Sequence, residues 1–230
     1  MKKLGQVQKG WYNMSVHLIR EIANLKKMIL GLSAQVEENV RQAVQAVTQY
    51  DAALAQSVID SDDLVDQQEV AIEEECLKIM ALHQPVAHDL RFLVSMLKLN
   101  HSLERIGDLA VNIAKRAKFL AGQPALHVLI DFTPIADRAQ AMLHKSLDAL
   151  INMDINRARE IGAADNEVDA LNREIYNRVK GLLRERPGDI ETLIALLNVS
   201  RHLERIADHA SSIAEDVIYL LEGKIIRHQH

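Results

Sequence analysis

The chain has 230 residues, of which 48% are hydrophobic and 26% are charged, and its formal net charge at pH 7 is -5. This length allows one or two domains with a sizeable core. No run of lysine and arginine interrupts the slight acidic excess, so nucleic acid is not expected as a partner. The single cysteine excludes an intrachain disulfide and favours a reducing compartment.

Neither a leader nor a membrane segment is expected. The first ten residues include lysines but no continuous apolar run, which argues against a secretory signal peptide. No stretch approaches the roughly 18 uninterrupted apolar residues that a membrane-spanning helix needs. We therefore expect a soluble, cytoplasmic protein that is not embedded in a membrane.

Few breakers and an abundance of Ala, Leu, Ile, Glu and Arg predict a nearly all-helical chain. In the first half, apolar spacing and breakers predict three helices, at about residues 17–50, 52–82 and 86–120. Asp51 is expected to cap the second helix and Pro85 to end it. Gly122 and Pro124 then open a linker that carries some apolar surface.

Three more helices are predicted in the second half, at about residues 134–153, 155–184 and 189–221. Pro134 suits the first turn of the fourth helix. Asp154 is expected to cap the fifth helix as Asp51 caps the second, and Asp189 is expected to cap the sixth. Gly223 marks the end of the last helix.

The two halves repeat one another. Residues 103–114 match residues 203–214 at eight of twelve positions, with an offset of 100. Upstream, an offset of 103 aligns further apolar and acidic positions. The sequence therefore predicts two tandem homologous three-helix bundles with internal pseudo-symmetry, at residues 14–121 and 134–222, joined by a linker at 122–133.

Acidic residues four apart are the most informative feature of each half. Such a pair lies on one helix face, with about 6 Å between its Cβ atoms. When two neighbouring helices present their pairs to each other, four carboxylates converge, and a cation is the natural compensation. The candidate metal ligands are Asp62, Asp66, Glu104 and Asp108 in the first half and Asp165, Asp169, Glu204 and Asp208 in the second.

Oxygen ligands without thiolates suit Mg, Mn, Ca, Fe(III), or Zn with water completing its sphere. The alternative is that the acidic pairs mark a solvated face, but their recurrence in both halves favours metal binding. Arg105 and Arg205 either reach a neighbouring carboxylate or form weak surface ion pairs. His101 and His202 stand at unmatched positions and are not expected to be ligands. No catalytic or nucleotide-binding motif is present.

The motif Asp-x-x-Val-Asp, followed by Leu-Glu-Arg-Ile-Gly-Asp-Leu-Ala-Val-Asn-Ile-Ala, closely resembles the PhoU family of phosphate-uptake regulators. The resemblance extends from about His17 to Leu221. It implies that the four carboxylates of each repeat bind a multinuclear metal cluster on the bundle surface, of iron or zinc. Ala207, His209 and Ser212 replace the Gly, Leu and Asn of the first copy, so equal metal occupancy of the two sites is not implied.

The resemblance also implies a cytoplasmic, often dimeric, non-enzymatic regulator that restrains phosphate import when phosphate is plentiful. Its partners would be a phosphate-importing ABC transporter, through the ATPase, and a phosphate-sensing histidine kinase. Two other classes remain open. One is a carboxylate-bridged di-metal oxidase, although such enzymes use Glu-x-x-His ligand pairs in a bundle core. The other is a purely structural helical scaffold.

Overall fold

The computed structural model describes residues 2–123 and 130–223, with the side chains of residues 2–15 and 163 outside that description. This part of the chain is built from α-helices and one short 3-10 turn at Pro187–Asp189, without a β-strand. The helices are α1 (Lys2–Gln49), α2 (Ala52–Asp60), α3 (Asp62–His83), α4 (Ala87–Ala121), α5 (Thr133–Asn152), α6 (Ile155–Glu185) and α7 (Ile190–Glu222). None of the described helices is long and apolar enough to cross a lipid bilayer.

The two predicted aspartate caps are confirmed. The Asp51 carboxylate accepts hydrogen bonds from the backbone N–H groups of Ala53 and Leu54, both at 2.9 Å. Asp154 does the same for Asn156 at 3.0 Å and Arg157 at 3.2 Å. Each side chain satisfies N–H groups that the first helical turn leaves without an intrahelical partner.

The predicted cap at Asp189 is wrong. Asp189 ends the 3-10 turn with φ -102° and ψ 16°, and its side chain makes no capping hydrogen bond to α7. A capping side chain needs an extended backbone, as at Asp51 and Asp154. The Asp189 carboxylate instead lies 3.7 Å from Nη1 of Arg186.

Two helix boundaries in the first half differ from the prediction. The second helix is interrupted at Ser61, whose hydroxyl donates to the Val58 carbonyl at 2.8 Å and so competes with the helical backbone. Ser61 keeps right-handed φ and ψ angles, so α2 and α3 together replace one predicted helix. The first helix begins at Lys2 rather than near His17, since no proline upstream stops its propagation.

The repeated sequence makes a repeated core. In the first repeat α1, α2, α3 and α4 pack together, and in the second α5, α6 and α7 do so. Aligned apolar positions of the two last helices are buried in both halves, namely Leu103, Ile106, Ala110 and Ile113 and their counterparts Leu203, Ile206, Ala210 and Ile213. The predicted all-α class of two tandem three-helix bundles is confirmed, while the precise unit boundaries stay a prediction.

The two repeats meet through equivalent helices. α4 packs on α7, and α1 contacts α5, so each helix at the junction touches its own counterpart. The N-terminal end of α4 lies beside the C-terminal end of α7. Arg91 of α4 lies so close to Gly223, the residue after α7, that a Cβ atom on Gly223 would lie 2.6 Å from Nη1 of Arg91. Further along, Nζ of Lys98 lies 3.5 Å from the buried Asp216 carboxylate. This antiparallel contact agrees with internal pseudo-symmetry. Residues 124–129 of the predicted linker lie outside the described residues.

Candidate metal sites

The first acidic site lies where α3 faces α4. Asp62 and Asp66 are on α3, while Glu104 and Asp108 are on α4. Partial burial, followed by the negative charges of Asp66 and Asp108, raises the pKa of Asp62. Carboxylates from both helices therefore act on one another, as the spacing of the motif predicts.

Glu104 is the most confined carboxylate of this site. Partial burial, followed by the charge of Asp108, raises its pKa, and the charge of Glu69 adds to the rise. Oε2 of Glu104 is buried and has no hydrogen-bond partner among the described residues. Arg105 does reach its neighbours, with Nη1 3.1 Å from Oδ2 of Asp108 and Nε 3.4 Å from Oε2 of Glu104. Since Arg105 is exposed, these contacts contribute little to stability.

The second acidic site brings the matching residues of α6 and α7 together. Partial burial, then the charges of Asp169 and Asp165, raises the pKa of Glu204. Asp208 is exposed, but the surrounding protein removes part of the water from its carboxyl group, and this desolvation raises its pKa to about 6. The negative charges of Glu204, Asp165 and Asp169 add to the rise. All four predicted carboxylates of this repeat are thus electrostatically coupled.

A cleft of about 780 Å³ opens beside the second site. Asp165 and Asp208 line it, and α4 of the other repeat contributes His101. The cleft wall also includes His209, whose pKa is lowered by burial and then by nearby positive charges, the first being that of Arg205. His101 was not predicted to be a ligand, and only the packing of α4 on α7 brings it to the second site. His209 was not predicted as a site residue either, although it follows Asp208 directly in the sequence.

A serine and a pair of buried polar contacts complete the two sites. In the second site, Oγ of Ser211 donates to Oδ1 of Asp165 at 3.3 Å, a bond that joins α7 to α6. Nearby, Oγ of Ser200 donates to Oδ1 of Asn172 at 2.7 Å. At the equivalent place in the first repeat, Nδ2 of Asn100 donates to the backbone carbonyl of Glu69 at 2.8 Å. These bonds hold the acidic helices in register.

The excess of negative charge at the two acidic sites suits a hard cation. Across residues 2–123 and 130–223, no three or more His, Cys, Asp or Glu side chains are arranged so that they could hold a metal ion as they stand. Even so, Oε2 of Glu104 accepts no hydrogen bond from the described residues, and the pKa values of Asp62, Glu104, Glu204 and Asp208 stay raised despite neighbouring basic residues. The negative charge of each site is therefore only partly balanced. Carboxylate oxygens are the ligands that Mg, Mn and Fe(III) prefer, and Zn accepts them.

The single cysteine has no place in this chemistry. Cys76 is fully buried in the core, as its helical spacing predicts, and burial raises the pKa of its thiol to about 12. A thiol that does not ionise near neutral pH is neither a nucleophile nor a ready metal ligand.

Comparison with known proteins places the chain in one family. The PhoU domain family model matches residues 29–117 and again residues 132–217. The chain is 36% identical to a phosphate-specific transport system accessory protein PhoU homolog from Aquifex aeolicus, over 93% of this chain and 96% of the relative.

Solved structures agree with that similarity. The crystal structure of PhoU from Pseudomonas aeruginosa superposes with a TM-score of 0.86 at 35% identity, covering 89% of this chain and 99% of that one. The phosphate transport system regulatory protein PhoU from Streptococcus pneumoniae superposes with a TM-score of 0.81 at 28% identity, covering 92% and 98%. Two matched domains, shared helix packing and full-length similarity have one explanation: the chain belongs to the PhoU family.

Proposed function

We propose that this protein is an accessory regulator of a phosphate transport system that restrains phosphate uptake and phosphate-starvation signalling when phosphate is plentiful. The observation that carries the proposal is the match to PhoU domains in both halves, joined to a TM-score of 0.86 with a solved PhoU. Relatives that align over nearly their whole length are named as accessory or regulatory proteins of phosphate transport.

The proposed mode of action is binding to other proteins rather than catalysis. α1 has 48 residues and α4 has 35, so at 1.5 Å per residue they are about 70 and 50 Å long. Such helices offer extended side faces. We propose that a cytoplasmic homodimer uses them to contact the ATPase of a phosphate-importing ABC transporter and a phosphate-sensing histidine kinase.

The two acidic sites would support this role by binding metal. Iron or zinc is proposed, with magnesium and manganese as alternatives. The first site would use Asp62, Asp66, Glu104 and Asp108, and the second would use Asp165, Asp169, Glu204 and Asp208. A bound cation supplies positive charge. These residues would then link α3 to α4 and α6 to α7, and their mutual repulsion would be offset.

The oxidase alternative is not favoured by any contact in the sites. Its ligands lie in a bundle core, whereas Asp66 and Asp208 are exposed. A ferrous oxidation assay separates this class from the proposal. Elemental analysis of protein purified without an affinity metal distinguishes the proposed metal-binding protein from a purely structural scaffold, which would contain no bound metal.

The regulatory proposal is tested in a strain that lacks the gene. We expect deletion to raise phosphate uptake and phosphate-starvation reporter activity in phosphate-rich medium, and the wild-type gene to restore repression. Binding of the purified protein to the transporter ATPase and to the kinase is measured in parallel. Normal repression in the deletion strain, with no binding to either partner, would contradict the proposal.

The contribution of the metal sites is tested in the same strain. Complementation with Glu104→Ala and Asp108→Ala together is compared with Glu74→Gln, an exposed carboxylate on α3 outside the predicted sites. We expect weaker repression from the double variant and full repression from the control. Equal repression by both variants would show that regulation does not depend on metal binding at the first site.

A further inference from the structure

The last helices of the two repeats end in segments of opposite charge. Residues 112–121 of α4 contain Lys115, Arg116 and Lys118 and no acidic residue, which gives a formal charge of +3. The equivalent residues 212–221 of α7 contain two acidic residues and no basic one. The apolar positions of both segments are buried alike, so core packing does not account for this difference.

The basic side chains of α4 are joined by an arginine of α7. We define the basic patch as the four exposed residues Lys115, Arg116, Lys118 and Arg201. Arg116 and Arg201 come from different helices but act on the same imidazole. Burial, followed by the positive charges of Arg205, Arg116 and Arg201, lowers the pKa of His202 to about 4. The patch therefore extends across the junction between the repeats.

A contact at the other end of the same junction shows what the patch lacks. There, Nζ of Lys98 lies 3.5 Å from the carboxylate of the buried Asp216 and 4.8 Å from the centre of the Tyr219 ring. With the offset of 100, the counterparts of Lys98 and Asp216 are Asn198 and Arg116. The antiparallel packing of α4 on α7 thus places a neutral amide opposite Arg116, where Lys98 has a carboxylate.

The two arginines of the patch keep their donor groups available. Neither Arg116 nor Arg201 forms a hydrogen bond or an ion pair with any residue in the described ranges 2–123 and 130–223. Arg201 does act on Glu204, three residues further along α7. An arginine guanidinium presents a planar fork of N–H donors that matches the two oxygens of a carboxylate.

The surroundings of the patch fit a protein better than a lipid surface. Among the described residues, no large apolar side chain of residues 112–121 is exposed, so the patch offers nothing to insert into a bilayer. Lys115 lies close enough to the first acidic site for its charge to oppose the rise in the pKa of Asp62. An anionic membrane would repel the carboxylates of that site.

We propose that the basic patch is the surface on which an acidic segment of a partner protein docks. The inference rests on the proposed regulatory function, in which the partner is the transporter ATPase or the histidine kinase. Complementary charges guide the encounter of two proteins and fix their orientation. Because the equivalent segment of the second repeat is acidic, the partner binds at one end of a molecule whose two halves are otherwise alike.

A charge-reversal variant of the full chain tests the proposal. Arg116→Glu with Lys118→Glu reverses two charges of the patch and leaves Lys115 in place. The matched control is Arg178→Glu with Lys180→Glu, which makes the same changes at the same spacing on exposed positions of α6. Binding to the immobilised ATPase and to the kinase is measured for each protein.

The patch variant is expected to bind at least about tenfold more weakly to whichever of the two proteins the wild type binds. The control variant is expected to bind as the wild type does. Added salt should weaken binding of the wild type more than binding of the patch variant, because salt screens the attraction that the variant has lost.

A second variant leaves every basic residue in place. Asn198→Asp provides a carboxylate opposite Arg116, as Asp216 does for Lys98. Binding is expected to weaken about threefold, since one exposed ion pair must then be broken for the partner to dock. Circular dichroism and elemental analysis verify that the variants keep the fold and the metal content of the wild type.

The outcomes separate the inference from the function on which it rests. If the wild type binds a partner and the patch variant binds it as tightly as the control does, the patch is not the docking surface and the proposed function still stands. If the patch variant instead loses binding to phosphatidylglycerol vesicles while partner binding is unchanged, the patch is a membrane surface and the inference is overturned. If the wild type binds neither protein, the inference and the partner-binding proposal both fall.

Discussion

A Cβ atom at Gly107 would lie 3.1 Å from Cγ1 of Val65. α4 therefore passes α3 so closely that a methyl group at residue 107 would make an unusually tight contact and push Val65 aside by a few tenths of an ångström. Val65 lies between Asp62 and Asp66, and Gly107 lies between Glu104 and Asp108. The missing side chain at Gly107 thus brings the two acidic pairs of the first site toward each other.

Gly107→Ala is expected to destabilise the protein by about 1 kcal/mol. Overpacking a buried contact lowers the free energy of unfolding by about 1–3 kcal/mol. The better helix propensity of alanine offsets about 1 kcal/mol of that loss. Urea unfolding monitored by circular dichroism measures the difference. Adding Val65→Ala to Gly107→Ala should remove the clash, so the cost of the two changes together should be less than their sum.

The reverse change in the second repeat is the matched control. Ala207 is buried at the position equivalent to Gly107. Ala207→Gly should cost at least about 1 kcal/mol, because it lowers helix propensity and also removes a buried methyl group. If Gly107→Ala instead proved stabilising, the close approach of α3 and α4 would not constrain the first site.

Removing two carboxylates is expected to remove one site's metal. Glu104→Ala together with Asp108→Ala should lower bound metal by one site's share, because one helix would no longer contribute ligands. The fold should persist, since mutually repelling and partly exposed carboxylates add little stability without metal. Elemental analysis measures the metal and circular dichroism the fold. Unchanged metal content with an unchanged spectrum would favour a solvated acidic face.

Asp208 should make the metal-free protein less stable as the pH rises from about 4 to 6. Its pKa is about 6 in the folded protein, against an ordinary value of 3.8. Between these values the folded state binds more protons than the unfolded state, so the free energy of unfolding falls with rising pH. Solvent access makes the effect smaller than the pKa alone implies.

Asp208→Asn tests this pH dependence. The metal-free variant is expected to be more stable than the wild type above pH 6, with the difference shrinking toward pH 4. Thermal unfolding in the presence of a chelator measures it at each pH. Asp137→Asn, on an exposed part of α5, is the control. A constant difference between Asp208→Asn and wild type from pH 4 to 7 would contradict the raised pKa.

The helix caps offer a prediction that is independent of metal. Asp51→Ala and Asp154→Ala should each cost about 0.5–2 kcal/mol, because each removes the acceptor of two backbone N–H groups. Asp189→Ala should cost less, since Asp189 makes no such bond. Denaturant unfolding of the three variants gives the comparison, and an equal cost at Asp189 would show that it caps α7 in solution.

Cys76 should react with thiol reagents only when the protein unfolds. It is fully buried and the pKa of its thiol is raised to about 12. At pH 8 the native protein is expected to be inert to a disulfide reagent that labels it within minutes in denaturant. Rapid labelling of the native protein would show that α3 opens readily from the core.

Much of the fold was predictable because it depends on local and periodic features. Asp51 and Asp154 stand directly before helical turns, and the apolar spacing of α4 and α7 matches the faces that are buried. The same reasoning wrongly predicted a side-chain cap at Asp189, because whether a side chain caps a helix depends on the φ and ψ angles of the residue. Those angles followed from the 3-10 turn that Pro187 begins.

By itself, the sequence determined that two acidic pairs occur in each half, since residues four apart share a helix face whatever surrounds them. Only the tertiary structure decided which further groups join them. Glu69, whose charge acts on Glu104, has no acidic counterpart in the second repeat. Ser211 reaches Asp165 on α6, and His101 of α4 reaches the cleft beside the second site, only because α7 packs on α6 and on α4. Such groups are distant in sequence or differ between repeats, and only the close packing of helices sets the short distances that couple their charges.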